Sequence, residues 1–386
     1  MHKIYLDHAA TTPLSEEALT AMLPYLKGVY GNPSSLHIWG REAKQALEMA
    51  REKVARALGA SPEEIYFTSG GTEAINIAIQ GLARNFSSGE RRHIITSAIE
   101  HHAVLDTIGY LGRNGFEVTI LPVDQFGMVD PEELATQITE KTLLVSIMTA
   151  NNEIGTIQPI EEIGRICRER GVYFHTDAVQ AIGNMEINLK KQPIDLLSLS
   201  AHKFYGPKGV GALYVRKNVG VEQIVFGGAQ EKKMRPGTEN LPGIVGLGRA
   251  IELATTDLEE KIRSLKKIRD HLIAGLLQID EVRLNGHPEK RLPGNVNVSV
   301  LHVEGESLLL SLDLKGIAVS SGSACTASSL EPSYVLLATG LDNYTAQGSL
   351  RLSLGHGNTK EDLDYTVNAI KDIALKLRAM SPVILK

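Results

Sequence analysis

The sequence predicts an α/β fold, because two patterns alternate along most of the chain. Short apolar runs of strand length recur, and longer segments with apolar residues at helical spacing separate them. Such alternation is typical of mostly parallel strands joined by right-handed helical crossovers. With 386 residues, 43% of them hydrophobic, the chain is long enough to bury a large core without disulfide bonds.

The predicted elements follow in order along the chain. The first clear helix has Ala43, Leu47 and Val54 on one face and ends at Gly59, a typical C-terminal cap. A second helix is predicted from Thr72 onward, and further helical patterns separate several of the later strands. The strand candidates in this part of the chain are residues 65–68, 93–96, 143–148, 172–176, 196–200 and 211–215.

A break near residues 255–257 predicts the boundary between two domains. The elements predicted beyond it are a long helix over 258–279, a loop over 285–295, strands at 296–300 and 350–354, and a final helix over 363–377. We therefore expect a large domain over residues 15–256 and a smaller α+β domain built from residues 1–14 and 257–386.

Composition and charge argue against several classes of protein. The chain has 40 Lys and Arg against 45 Asp and Glu, and its net charge of −5 does not favour nonspecific binding to nucleic acid. No apolar stretch approaches the roughly 18 residues of a membrane-spanning helix. The N-terminal residues lack the apolar run of a secretory signal. The two cysteines, Cys167 and Cys325, form no CxxC pair, so we expect a cytoplasmic protein without disulfides.

Residues 67–73, Phe-Thr-Ser-Gly-Gly-Thr-Glu, lie between a predicted strand and a predicted helix. Two glycines let the backbone approach a ligand closely, and the N–H groups at the start of the following helix attract anions. Gly71 and Thr72 are therefore candidate contacts for a phosphate. The alternative is an ordinary strand-to-helix turn, since no Walker lysine follows.

Two predicted strands end near groups that a cofactor uses. The strand at 172–176 runs into Asp177, and the strand at 196–200 is followed by Lys203. Ligands of an open parallel sheet bind at the carboxyl ends of its strands. A lysine shielded from water forms Schiff bases, and a carboxylate keeps a pyridine nitrogen protonated. With the candidate phosphate contacts at residues 67–73, these residues predict a pyridoxal phosphate site. The alternatives are that Lys203 is a surface lysine and that Asp177 is a helix cap.

Histidines near the predicted strand ends allow a second interpretation. His101, His175 and Asp177 would supply ligands for a metal-dependent hydrolase, because His and carboxylate commonly bind metals. The adjacent side chains of His101 and His102 seldom reach one ion, however, and the sequence has no HExxH motif. We therefore expect no metal. We prefer His101 as a residue that stacks on a ring and moves protons, and His102 and His175 as structural histidines.

A segment of mainly small residues, at about 320–333, is a predicted exposed loop that contains Cys325. Because free cysteines are usually buried, Cys325 is predicted to be a reactive thiol and not a chance surface thiol. Cys167 lies on an apolar helical face and is predicted to be inert core. Arg351 is a candidate clamp for a substrate carboxylate, because its fork binds two oxygens. The alternative for Arg351 is a surface salt bridge.

These residues together support a resemblance to a known family. The chain resembles the cysteine desulfurases of the NifS/IscS group, which are fold-type-I pyridoxal phosphate enzymes, through nearly its whole length. The matching motifs stand at residues 5–12, 31–35, 68–73, 100–101, 151–155, 175–180, 202–203, 235–238 and 320–331. The residues that follow the cysteine make the chain similar to the long-loop members of the group.

The resemblance implies a large domain with a mainly parallel seven-stranded sheet and bound pyridoxal phosphate. Lys203 would carry the cofactor covalently, and His101 would stack on its ring. The other cofactor contacts would come from Gly71, Thr72, Asn152, Asp177, Gln180, Ser200, His202 and, from the other subunit of a homodimer, Thr238. The substrate contacts would come from Asn32, Asn152 and Arg351.

The implied reaction removes sulfur from L-cysteine, releases L-alanine and leaves a persulfide on Cys325. The sulfur would pass to an iron–sulfur scaffold protein or a tRNA-thiolation protein, and Cys325 is a candidate transient iron–sulfur ligand. No membrane or direct nucleic-acid partner is expected. Pro236, Ala201 and His102 depart from the residues common in the group, but none removes a catalytic group.

Other functions remain open at this stage. A selenocysteine lyase or an aminotransferase of the same fold would use Lys203 without needing Cys325. The metal-dependent hydrolase is an alternative from a different class. A non-catalytic sulfur carrier would need Cys325 but not Lys203.

Overall fold

The computed structural model describes residues 3–86, 89–321 and 331–380. Its strands are β1 (Ile4–Tyr5), β2 (Ile65–Thr68), β3 (His93–Ser97), β4 (Glu117–Leu121), β5 (Thr142–Ser146), β6 (Tyr173–Asp177), β7 (Leu196–Ser200), β8 (Gly211–Val215), β9 (Val282–Leu284), β10 (Asn295–Val300), β11 (Ile317–Ala318) and β12 (Ser349–Ser353). Its helices are α1 (Glu16–Lys27), α2 (Ile38–Leu58), α3 (Gly71–Asn85), α4 (His102–Arg113), α5 (Pro131–Gln137), α6 (Ile160–Glu169), α7 (Leu241–Thr255), α8 (Leu258–Leu276), α9 (Gly305–Asp313), α10 (Tyr334–Ala338), α11 (Asn343–Gln347) and α12 (Lys360–Met380).

The largest sheet has seven strands in the order β2-β8-β7-β6-β5-β3-β4. Strand β8 is antiparallel to both of its neighbours, and the remaining pairs are parallel. The predicted α/β fold with a mainly parallel seven-stranded sheet is therefore confirmed.

Helices cover both faces of this sheet. On one face α2, α6 and α7 pack against strand residues that include Ile95 and Val145. On the other face α3 and α4 pack against residues that include Ile94 and Leu144. Neighbouring residues of one strand thus enter opposite cores, as the two-residue period of a strand requires. Strands buried on both faces have continuous apolar sequences, which is why most of them were predictable.

A second hydrophobic cluster lies apart from the seven-stranded sheet. It joins the antiparallel strands β12-β10-β9 to α8, α9 and α12. The parallel pair of β1 and β11 adds Ile4, Leu6 and Ile317 to the same cluster. The N-terminal strand therefore packs against residues that follow it by about 300 positions in the sequence.

Strand β4 is absent from the predicted strands, and its position explains why. It is the last strand of the large sheet, and Ile120 is 56% exposed. Its five residues are Glu-Val-Thr-Ile-Leu, and only Leu121 is buried in this strand. An edge strand that buries so little gives a weak signal in the sequence.

The segment after β1 crosses from the second cluster to the large sheet. Asp7 forms a bridge with Ser353, and the Thr12 amide donates to the carbonyl of His202. This crossing brings residues 9 and 10 beside the end of β7. Within the described residues, no helix combines the length and the apolar character needed to cross a membrane.

Candidate active site

A cavity of about 300 Å³ lies where β6 and β7 end and α3 begins. It is the region in which an open parallel sheet binds ligands. The predicted site residues on its wall are Gly71, Thr72, His101, Asn152, Asp177, Gln180, Ser200, His202, Lys203 and Arg351. The rest of the wall comes from Ala9, Ala10, Ile75, Met148, Ala150 and Val179.

The start of α3 forms one end of the cavity. Gly71 is the first residue of this helix, and a Cβ there would lie 2.7 Å from Cγ2 of Val179. Glycine therefore leaves space that any side chain would fill. The helix N-terminus, with the hydroxyls of Thr72 and Ser200 on the same wall, suits an anion such as phosphate.

His202 lies beside this anion site in the short turn after β7. Its Nδ1 is 3.1 Å from Oγ1 of Thr11. Burial, helped by the charges of Lys203 and Lys208, lowers the pKa of His202 to about 4. The ring is therefore neutral near pH 7 and offers one N–H donor.

Lys203 ends the same turn, and its side chain points back toward the N-terminal segment. Its Nζ donates to the carbonyls of Ala9, at 2.6 Å, and Ala10, at 2.8 Å. Gln180 also donates to the Ala9 carbonyl, at 2.9 Å. Main-chain oxygens thus hold the lysine amine and the glutamine amide on one side of the cavity.

Asp177 is the last residue of β6 and faces the cavity. Its Oδ1 accepts from the Val179 amide at 2.9 Å, which fixes the carboxyl in place. Burial raises the pKa of Asp177, although the nearby His101 and Lys203 oppose that shift. A buried carboxyl in this position gains from a cationic partner such as a protonated pyridine nitrogen.

His101 caps the N-terminus of α4. Its Nδ1 accepts from the Ala103 amide at 3.0 Å, so the proton of the neutral ring resides on Nε2. Burial lowers the pKa of His101, with the charge of Asp177 opposing the shift. The capping bond therefore sets both the orientation of the ring and its tautomer.

Arg351 lies on β12 and extends into the cavity wall with only 2% of its side chain exposed. Its Nη2 donates to Oδ1 of Asp7 at 2.8 Å, and its Nη1 donates to the Asn152 carbonyl at 3.3 Å. Its Nε has no hydrogen-bond partner among the described residues. A buried guanidinium with donors to spare fits a carboxylate ligand.

Two buried carboxyls near the cavity were not predicted as site residues. Glu100 accepts from Ser97 Oγ at 2.6 Å and from the Met148 amide at 3.0 Å, and burial raises the pKa of Glu100 to about 8. Glu153 accepts from Ser333 Oγ, and burial raises the pKa of Glu153 to about 7. The feature of the sequence that could have identified them is that Glu100 precedes His101 and Glu153 follows Asn152.

The histidine ligands of the metal interpretation do not converge on one point. His175 is fully buried, with Nδ1 2.8 Å from Ser146 Oγ and Nε2 3.0 Å from Ser198 Oγ. Burial lowers the pKa of His175 to about 3. Both ring nitrogens are thus occupied by serine hydroxyls. Over residues 3–86, 89–321 and 331–380, no group of three or more His, Cys, Asp or Glu side chains is placed to hold a metal ion.

Two of the predicted residues, Asn32 and Thr238, lie outside this cavity. Asn32 is in the loop after α1, where its Oδ1 accepts from the Ser34 amide. Thr238 is exposed in the segment before α7. Cys325 falls outside the described residues. Cys167 is buried, which confirms its predicted place in the core, and burial raises the pKa of its thiol to about 12.

The donor set fits pyridoxal phosphate. An amine, a buried carboxyl and a neutral imidazole surround a space whose far end is an anion site with a glycine that admits no Cβ. These are the groups that bind the aldehyde, the pyridine nitrogen, the ring face and the phosphate of that cofactor. The fold and the site therefore define a pyridoxal phosphate enzyme of the α/β class.

Comparison with known proteins identifies the family of the chain. Residues 4–366 match the model of the family Aminotransferase class-V. "Cysteine desulfurase IscS" of Methanosarcina thermophila is 58% identical over 380 residues, which are 98% of this chain and 94% of the relative. "Cysteine desulfurase" of Homo sapiens is 49% identical over 386 residues, covering 99% of this chain and 84% of the relative.

Solved structures agree with this result. The structure titled "NIFS-LIKE PROTEIN" has a TM-score of 0.92 and 43% identity, covering 97% of this chain and all of the other. "SspA in complex with cysteine" has a TM-score of 0.79 and 38% identity, covering 92% of this chain and 99% of the other. The chain belongs to the class-V aminotransferase family, among its pyridoxal phosphate-dependent cysteine desulfurases. The predicted family, activity and cofactor are confirmed, and the substrate of this activity is L-cysteine.

Proposed function

We propose that the chain transfers sulfur from L-cysteine to Cys325, with Lys203 as the residue that binds pyridoxal phosphate. The observation that carries the proposal is the single cavity shared by Lys203, Asp177, His101 and Arg351. When bound, pyridoxal phosphate supplies an electron sink that weakens the carbon–sulfur bond of the substrate. In the overall reaction, L-cysteine and a protein thiol become L-alanine and a protein persulfide.

The residues of the cavity have distinct tasks in this reaction. Arg351 holds the substrate carboxylate through Nε and one Nη N–H that its bonds to Asp7 and Asn152 leave available. Asp177, fixed by the Val179 amide, supplies the negative charge that keeps the pyridine nitrogen protonated. His101 carries a proton at Nε2, on the ring nitrogen that its capping bond leaves as the donor.

Cys325 is the proposed sulfur acceptor because of where its segment begins. Ser320 and Arg351 exchange backbone hydrogen bonds of 2.7 and 3.2 Å. Cys325 follows Ser320 by five residues, which span at most about 18 Å. Its thiolate attacks the substrate sulfur. The sulfur–sulfur bond forms as the carbon–sulfur bond breaks, and the released electron pair takes up a proton to become a C–H bond of alanine.

The homodimer, the cellular compartment and the sulfur acceptor belong to the same proposal. Thr238 is exposed and lies outside the cavity, which supports its role at the phosphate bound by a second copy of the chain. We also assign Asn32 a role in substrate binding. The acceptor is proposed to be an iron–sulfur scaffold or a tRNA-thiolation protein, in the cytoplasm. The separate hydrophobic cluster supports the division into residues 15–256 and the remainder.

Incubation of the cofactor-loaded protein with L-cysteine tests the proposal. We expect L-alanine to accumulate in step with sulfide when a reducing thiol is present. Lys203→Ala should abolish alanine formation and the yellow absorbance of the bound cofactor. Pyruvate or a keto acid as the main product, or a yellow Lys203→Ala variant with full activity, would contradict the proposal.

A further inference from the structure

The strand that leads into the phosphate cradle has one unpaired edge. Among the described residues, β2 pairs only with β8 and is the first strand of the sheet order. Its outer edge therefore presents backbone groups that need other partners. Two groups on that edge are the carbonyl of Ile65 and the amide of Phe67, in the strand that ends two residues before Gly70.

A buried ion pair takes the place of the missing strand. Nη1 and Nη2 of Arg51 donate to the two carboxylate oxygens of Glu231, both at 2.8 Å. Nη1 of Arg51 also donates to the Ile65 carbonyl at 2.7 Å, and the Phe67 amide donates to Glu231 at 2.8 Å. One acid and one base thus pair with each other and with the outer edge of β2.

This arrangement is buried and compact. Arg51 is 5% exposed and Glu231 is 7% exposed. The guanidinium of Arg51 also lies over the ring of Phe67, 4.8 Å from its centroid. Breaking a buried pair of this kind leaves an uncompensated charge, so the pair fixes the strand firmly.

The segment around Glu231 has an unusual backbone. Glu231, Lys232 and Lys233 have φ values of 44°, 56° and 69°, in the left-handed region that non-glycine residues rarely adopt. Such conformations persist only where the surrounding contacts enforce them, and they cluster near functional sites. We call residues 231–235 the edge clamp.

The edge clamp contacts the cradle at a second point. Nε of Arg235 donates to Oε1 of Glu73 at 3.0 Å, and the other oxygen of Glu73 accepts from the Ser69 amide. Glu73 lies in the first turn of α3, immediately after Gly71 and Thr72. The clamp therefore contacts both the strand before the cradle and the helix after it.

We infer that Arg51 and Glu231 are positioning residues for the cofactor phosphate, acting through β2 and the cradle at residues 69–72. The inference rests on the proposed function, because it takes the cradle as the phosphate site. The ion pair does not touch the phosphate itself. It holds the backbone whose N–H groups do so, and its loss should weaken cofactor binding more than it slows turnover.

Arg51→Lys tests this inference. Lysine keeps the positive charge beside Glu231 but lacks the fork that reaches both carboxylate oxygens and the Ile65 carbonyl. We expect the dissociation constant of pyridoxal phosphate, measured by absorbance titration of the apoprotein, to rise about fivefold to tenfold. Turnover at saturating cofactor should change less than about twofold.

Arg269→Lys is the matched control. The Arg269 side chain is 6% exposed, as is that of Arg51, and it also bonds a carboxylate and backbone carbonyls. Its partners Asp270 and Leu292 lie outside the cofactor cavity. This variant should lose less thermal stability than Arg51→Lys, because Asp270 is exposed and Glu231 is buried, and should keep the dissociation constant of pyridoxal phosphate unchanged. The same unchanged constant in Arg51→Lys would overturn the inference.

Hydrogen exchange of the unmodified apoprotein gives a readout that needs no variant to fold. The Phe67 amide should be protected although it lies on the outer edge of the sheet, because Glu231 accepts from it. Rapid exchange of this amide would contradict the inference. An unmodified protein that binds no pyridoxal phosphate would instead refute the proposed function, so the two failures are distinguishable.

Discussion

The hydroxyl of Ser333 donates a hydrogen bond to the buried carboxyl of Glu153. The next residue, Tyr334, donates its hydroxyl to the carbonyl of Glu100 at 2.5 Å. Glu153 follows Asn152 in the chain and Glu100 precedes His101, and both of these neighbours line the cavity. The C-terminal end of the Cys325 segment is therefore attached, through Ser333 and Tyr334, to residues that adjoin the cavity wall.

Removing the attachment at Ser333 should slow sulfur transfer without weakening cofactor binding. Ser333 also caps α10 by accepting from the Leu336 amide, so Ser333→Asp keeps the cap and loses the donor. Above pH 7, where Glu153 is ionised, the charge of the new aspartate also repels Glu153. We expect persulfide formation to slow about threefold to tenfold, measured in single turnovers by rapid quench.

Ser311→Ala is a control for this change, since Ser311 makes a comparable hydroxyl bond to Ser307 away from the cavity. It should leave the single-turnover rate unaltered. A Ser333→Asp protein that forms persulfide at the rate of the unmodified protein would show that the attachment has no part in transfer.

Glu100 should make the stability of the apoprotein fall as the pH rises. Burial raises the pKa of Glu100 in the folded protein to about 8, against 4.5 for an ordinary glutamate. The contribution of Glu100 to the free energy of unfolding is therefore fully present below pH 4.5 and is lost between that pH and about 8. The reason is that Glu100 ionises at a lower pH in the unfolded chain than in the folded protein.

Glu100→Gln removes that dependence while keeping an oxygen for Ser97 and the Met148 amide. The free energy of unfolding of the variant, minus that of the unmodified protein, should rise by about 3 kcal/mol from pH 5 to pH 8. Urea unfolding at the two pH values measures this difference. Parallel pH profiles for the two proteins would contradict the assignment of a neutral Glu100.

Arg351→Lys should raise the KM for L-cysteine about tenfold to a hundredfold. An arginine can bind both oxygens of the substrate carboxylate at once, whereas a lysine offers only a point charge. The dissociation constant of pyridoxal phosphate should stay the same. Cysteamine, which has no carboxylate, provides the control substrate. If the variant and the unmodified protein differ as much toward cysteamine as toward L-cysteine, Arg351 does not bind the carboxylate.

Most strands of the large sheet, and the residues at their carboxyl ends, could be predicted from the sequence. Strands such as β7 are buried on both faces and have apolar sequences, and the rule for strand ends then places Asp177 and Lys203 together. The pair of Asp7 and Arg351 was not predictable, because 344 positions separate the two residues and no local pattern links them.

The buried carboxyls and the edge clamp escaped prediction for a related reason. Carboxylates are almost always exposed unless they are paired, so Glu100, Glu153 and Glu231 look like surface residues in the sequence. Their partners come from distant segments; Arg51 precedes Glu231 by 180 positions. Only the packed structure shows that these charges lie inside.

The most direct test of the account follows the sulfur itself. The cofactor-loaded protein is treated with sulfur-labelled L-cysteine, and its peptides are mapped for persulfide by mass spectrometry without reduction. The account predicts label on Cys325 in a one-to-one ratio with released alanine, and a Cys325→Ser protein that binds cofactor but carries no label. Label on Cys167, or alanine release undiminished in Cys325→Ser, would contradict it.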